Sequence, residues 1–111
     1  MITMEKLRAW GASTDEGLVR CLNNEAFYLR LVGMALKDPH FELLAEACRS
    51  KDLEKAFDSA HSLKGMLSNV ALTPLVTPIV QITEYLRNKT DMDYEPLVKE
   101  IEARRAELLQ M

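Results

Sequence analysis

Apolar residues recur three and four positions apart along most of the chain, and that period is helical rather than extended. The clearest stripe is Leu53, Ala56, Phe57, Ala60, Leu63, Leu67 and Val70. It predicts one long helix from Asp52 to about Val70, with the stripe facing a core. Phe27, Leu31, Met34 and Ala35 keep the same rhythm, and Tyr28, Val32 and Leu36 widen it, so a helix from about Asn24 is expected to be covered on much of its circumference. Phe41, Leu44, Ala45 and Cys48 mark another helix. Ile79, Ile82, Tyr85 and Leu86 mark the next, and Leu97, Ile101 and Leu108 the last.

Punctuation between the stripes agrees with this division. Residues 3–9 form a short first helix closed by Gly11, and Thr14 and Asp15 offer N-cap chemistry to a second, with Leu18, Val19 and Leu22 as its apolar side. Asp38-Pro39 restarts the chain as a helix. Ser50-Lys51-Asp52 is a break, and Asn88-Lys89-Thr90-Asp91 is a turn, with the last helix starting near Met92 or Tyr94. Thr73-Pro74 offers a further cap. Pro78 removes an interior hydrogen bond, which predicts either a start at Thr77-Pro78 or a kink there. Long amphipathic segments joined by short turns imply an all-α fold, an antiparallel four-helix bundle with one or two short additional N-terminal helices.

Composition narrows the class. The chain has 111 residues, enough for one domain spanning 1–111 with a hydrophobic core. A net charge of −3 argues against nucleic acid as partner, because binding it needs clustered cations. No apolar run approaches the ~18–20 residues of a membrane span, and the start lacks the layout of a signal peptide. Cys21 and Cys48 have no CxxC spacing and fall within helical patterns, so buried free thiols and a reducing cytoplasm are expected. His40 and His61 are the two histidines, neither in an HExxH arrangement, which excludes that class of metal hydrolase.

The chemistry concentrates in Ala60-His61-Ser62-Leu63-Lys64-Gly65. A glycine inside a helix costs roughly 1 kcal/mol relative to alanine, so Gly65 calls for a reason. It lies four residues after His61, with Lys64 three after, so all three share one side of the helix. At about 100° per residue, His61, Gly65, Ser68 and Leu72 run along one flank of the core stripe, with Lys64 nearer the core edge and Asp58 and Asn69 farther round. A neutral imidazole offers a ring nitrogen for attack on phosphorus, and a lysine supplies a mobile positive charge for a phosphate.

This run, continuing through Ser68-Asn69-Val70-Ala71-Leu72, resembles the signature of histidine-containing phosphotransfer (HPt) domains. Asp15-Glu16-Gly17-Leu18 and Tyr28-Leu29-Arg30-Leu31-Val32 resemble that family's preceding helices. The resemblance implies a four-helix bundle in which His61 accepts a phosphoryl group from a receiver-domain aspartate and passes it to another receiver. Lys64 then supports the phosphoryl charge and Gly65 clears space for the partner. It also implies response-regulator receivers and a hybrid sensor histidine kinase as partners, no cofactor in this chain, and Mg²⁺ held by the receiver. A monomer is expected, since one bundle accounts for the apolar stripes.

The chain also departs from the family pattern. Met66 and Leu67 stand where small residues often follow the glycine, and Ala71 stands where a second glycine is common. Leu67 falls on the core face, and Met66 is expected to widen an exposed apolar surface. Ala71 and Pro78 predict a differently built end to the helix. Gly33 is read as a site of close helix packing, and His40 as a surface side chain. Two other classes compete with a phosphocarrier. One is a non-catalytic helical adaptor in which His61 is incidental. The other is the dimerisation and phosphoacceptor module of a sensor histidine kinase. Such modules follow their histidine with an acidic residue and then a proline, where this chain has Ser62 and Gly65, and no glycine-rich ATP-binding segment is present.

Overall fold

The long stripe folds as its period requires. In the computed structural model, which describes Met1–Met111, seven helices follow in order: α1 (Met4–Trp10), α2 (Thr14–Arg20), α3 (Glu25–Leu36), α4 (His40–Arg49), α5 (Leu53–Asn69), α6 (Thr73–Arg87) and α7 (Glu95–Leu109). Asp52 starts α5 by accepting the Lys55 N–H on its carboxylate at 3.2 Å. Ala56, Ala60, Leu63 and Leu67 of α5 are fully buried.

α4 to α7 form an antiparallel four-helix bundle. α5 packs against α4 and α6, and α7 closes the ring against both. Polar cross-links fix the direction of α7. Arg49 at the end of α4 forks onto Glu95 at the start of α7, with Nη2 2.7 Å from Oε1, and also reaches Glu102 at 3.2 Å. Arg105 near the end of α7 meets Glu42 at the start of α4 at 2.8 Å. These hydrogen bonds hold both Glu95 and Glu42 below the usual carboxylate range. Burial, with the Glu95 charge adding, pushes the Cys48 thiol up to about 11. Cys21 and Cys48 are free and buried, as their helical settings predict.

Where one or two short helices are expected before the bundle, three precede it: α1, α2 and the twelve-residue α3 lie over the end of the bundle where α5 passes into α6. This segment donates hydrogen bonds to carbonyls at and just beyond the C-terminus of α5. Arg20 Nη1 donates to Ser68 O at 2.7 Å, the Tyr28 hydroxyl to Val70 O at 2.8 Å, and the Ser13 N–H to Ala71 O at 2.9 Å. Tyr28 is fully buried, and that burial raises its phenol pKa. One core cluster runs from Leu7 to Leu108.

Several boundaries differ from the sequence pattern. The N-cap position of α2 is Ser13 rather than Thr14 or Asp15, and the Ser13 hydroxyl meets Thr73 Oγ1 at 2.8 Å instead of capping. Val19 and Leu22 are 67% and 90% exposed, so of the expected apolar side only Leu18 packs on the core. In α3 the widening residues Tyr28, Val32 and Leu36 form the buried face together with Ala35 of the primary stripe, while Phe27 and Met34 of that stripe face outward. α6 begins at Thr73, with Pro74 in its first turn, and runs through a buried Pro78. Gly33 has open space where a side chain would stand, so close packing does not explain it.

Candidate functional site

α5 carries the site on its middle turns. Its core face is anchored by Ala60, Leu63 and Leu67, all fully buried. That anchoring leaves His61 and Gly65 exposed on the other side and Lys64 half-buried at the core edge. A β-carbon added to Gly65 would meet nothing within 4 Å, so the backbone beside His61 is open to an approaching molecule. The protein's ion pairs use arginines and His40, leaving the Lys64 ammonium without a carboxylate partner. His61, Lys64 and Gly65 therefore share one accessible surface.

The histidines sit in different settings. His40 points Nδ1 at Asp38 Oδ1, 2.7 Å away, and the same carboxylate oxygen accepts the His40 N–H at 2.8 Å. His40 lines a groove of about 410 Å³ between α4 and α5, together with Leu43, Ser59 and Ser62. The His61 ring has no hydrogen-bond partner in the protein. Its specific contact is with Phe57, one turn earlier, whose ring lies stacked at 5.7 Å between centroids and 17° between planes. From α6, the Arg87 guanidinium sits 5.0 Å from the Phe57 ring centroid, with its Nε bonded to Glu84 at 3.3 Å.

Other expected members of the flank separate. α5 ends at Asn69, and Leu72 is fully buried in the connection, so the accessible line stops at Ser68. Ser68 and Asn69 serve the helix end through their carbonyls, which face Arg20. Met66 is half-buried against the core and lines a groove of about 210 Å³ with Leu31, Met34 and Val70. Leu67 is buried as predicted. Ala71, at the position where a glycine is common, adopts φ 55°, a left-handed conformation. The Leu72 N–H then bonds Leu67 O at 3.1 Å, closing α5 in a Schellman turn without glycine. A cleft of about 700 Å³ lies between residues 48–53 and 89–95 and includes none of His61, Lys64 and Gly65.

Sequence reasoning left Phe57 as a core residue and gave Arg87 no role. The first had a readable signal, since Phe57 and His61 stand four apart on one helix face. Arg87 comes from another helix, and no local spacing points to it.

The structure is thus an all-α bundle that presents His61, without a hydrogen-bond partner, beside Lys64 and the open Gly65 backbone. A family model described as the Hpt domain matches residues 38–111. The chain belongs to the Hpt domain family, whose members carry phosphoryl groups on histidine in phosphorelays and interact with receiver domains. The match covers the four bundle helices and leaves α1 to α3 outside it. No curated protein and no solved structure matches the chain. No helix is long and apolar enough to cross a membrane.

Proposed function

We propose that this chain is a phosphorelay carrier in which His61 accepts a phosphoryl group from a receiver-domain phosphoaspartate and passes it to another receiver. The observation that carries this reading is the setting of His61: exposed, with both ring nitrogens free of hydrogen bonds, beside the open Gly65 backbone. A ring nitrogen attacks phosphorus, the N–P bond forms as the acyl P–O bond breaks, and the aspartate carboxylate leaves with the bonding electrons. The other ring nitrogen keeps its proton. Such transfer asks the protein mainly for positioning and charge stabilisation.

In this reading Lys64 draws its unpaired ammonium toward the equatorial phosphoryl oxygens, and Gly65 leaves room for the receiver's backbone. The receiver contributes the Mg²⁺ and a hybrid sensor histidine kinase starts the relay. Residues 1–111 act as one monomeric domain, a reading supported by the continuous core. Two free buried thiols fit a reducing cytoplasm.

Incubation with a phosphorylated receiver is expected to move acid-labile, base-stable phosphate onto the chain. The His61→Gln variant is expected to stay unlabelled with its fold intact. Labelling of that variant would overturn the assignment.

A further inference from the structure

An exposed imidazole with no hydrogen-bond partner offers free ring nitrogens but has no polar contact to fix their direction. Its χ1 and χ2 torsions are left to populate several staggered rotamers, which aim the ring nitrogens in different directions. Catalysis of group transfer gains much from holding the reacting atoms in an attacking geometry. Neither ring nitrogen of His61 is held by a polar contact, so any restriction must come from the ring faces. One face is occupied. Phe57 lies one turn before His61, with its ring 5.7 Å away and tilted by only 17°.

Phe57 is itself well held. It is half-buried against the core cluster. The Arg87 guanidinium reaches it from α6, 5.0 Å from the ring centroid. Glu84 ties Arg87 back to its own helix. The Phe57 ring is therefore held from two helices, and it is the aromatic ring stacked on His61.

We propose that Phe57 is a positioning residue for His61: its braced ring restricts the imidazole to a rotamer from which a ring nitrogen faces an incoming phosphoryl group. This rests on the phosphocarrier reading above. The chemistry at issue is the attack step and not the affinity for the receiver.

The test compares Phe57→Leu, which keeps an apolar side chain at the half-buried site, with Phe57→Tyr, which keeps the ring. Transfer from a phosphorylated receiver is followed by rapid quench over a range of receiver concentrations. Proton NMR reads the ring-current shift of the His61 ring protons and their cross-peaks to the aromatic protons of residue 57. Phe57→Leu is expected to lose those cross-peaks and the ring-current shift. Its maximal transfer rate is expected to fall roughly 2- to 10-fold, the range an aromatic pair supports, with half-saturation unchanged. Phe57→Tyr is expected to restore both readouts.

Transfer by Phe57→Leu at the full wild-type rate overturns the proposal, as does a loss confined to half-saturation or one shared equally by Phe57→Tyr. If wild-type protein takes no phosphate on His61, the phosphocarrier reading itself fails and this inference goes with it. Labelled wild type with an unaffected Phe57→Leu variant removes the positioning role alone.

Discussion

The ring of Tyr28 occupies the space that a side chain on Gly17 would need. A β-carbon there would stand 2.3 Å from Tyr28 Cε1, inside any van der Waals contact. Tyr28 cannot simply swing away, because it is fully buried and donates its hydroxyl to Val70 O. Gly17→Ala is therefore expected to destabilise the protein by about 2 kcal/mol or more through overpacking. Its urea midpoint should fall with little change in slope. A midpoint equal to wild type would show that α2 shifts freely on α3.

Gly65 and Gly33 face open space, and the opposite sign is expected of them. Each lies within a helix, so replacement by alanine is expected to add up to about 1 kcal/mol of stability through helix propensity alone. At Gly65 a larger side chain such as Gln should leave the fold intact and slow phosphoryl transfer by obstructing the partner. A Gly65→Gln protein that transfers at full rate would remove the access role.

Lys64→Ala should separate charge from packing. The ammonium has no ion-pair partner, so its loss is expected to shift the unfolding midpoint by less than about 1 kcal/mol. The transfer rate should fall about tenfold or more, measured by quenched-flow labelling of His61.

The Cys48 thiol is buried and pushed up to about 11, which leaves almost no thiolate at neutral pH. Aromatic disulfide reagents are expected to modify Cys21 and Cys48 only as fast as the protein opens, with two thiols appearing promptly in denaturant. Stoichiometric modification of the native protein within seconds would contradict the burial.

Acid should weaken the α4–α7 seam. Hydrogen bonds from Arg49 and Arg105 depress Glu95 and Glu42 below the ordinary value of 4.5. A carboxylate depressed in the folded state adds stability that is fully present above its unfolded pKa and is lost as pH falls through its folded pKa. The two pairs therefore contribute nothing pH-dependent between neutrality and about pH 5, and their contribution is lost progressively as pH falls below 4.5 through the lowered folded values. Both carboxylates are solvent-accessible, so the effect is small and weakens with salt. The gap in urea midpoint between wild type and Glu95→Gln is expected to narrow from pH 6 to pH 3; a constant gap would reject the linkage.

How far local pattern reaches depends on helix length. α5 spans nearly five turns, and over that distance its stripe, its Asp52 cap and the exposed side bearing His61 and Gly65 are all legible. α2 has seven residues, so its apolar positions do not choose a face, and Val19 and Leu22 end in solvent. α3 is apolar around most of its girth, and only its docking over the end of α5 selects Tyr28 and Val32 rather than Phe27 and Met34 for burial. The departure at Ala71 was readable as a missing glycine. The backbone still turns left-handed there, with the local Leu72 N–H on Leu67 O closing the helix and the distant Ser13 N–H meeting Ala71 O.

Periodicity and caps by themselves determined that the chain is all-helical, where its long helices run, and that His61, Lys64 and Gly65 share a side of one of them. These are properties of a single helix, set by 3.6 residues per turn and by the groups at its ends. Tertiary structure alone decided which residues attend that side. Arg87 over Phe57, Arg20 on the Ser68 carbonyl and Tyr28 on the Val70 carbonyl each join positions 30 or more residues apart. No short-range pattern encodes such pairings, because they depend on how whole helices pack once their apolar faces are removed from water.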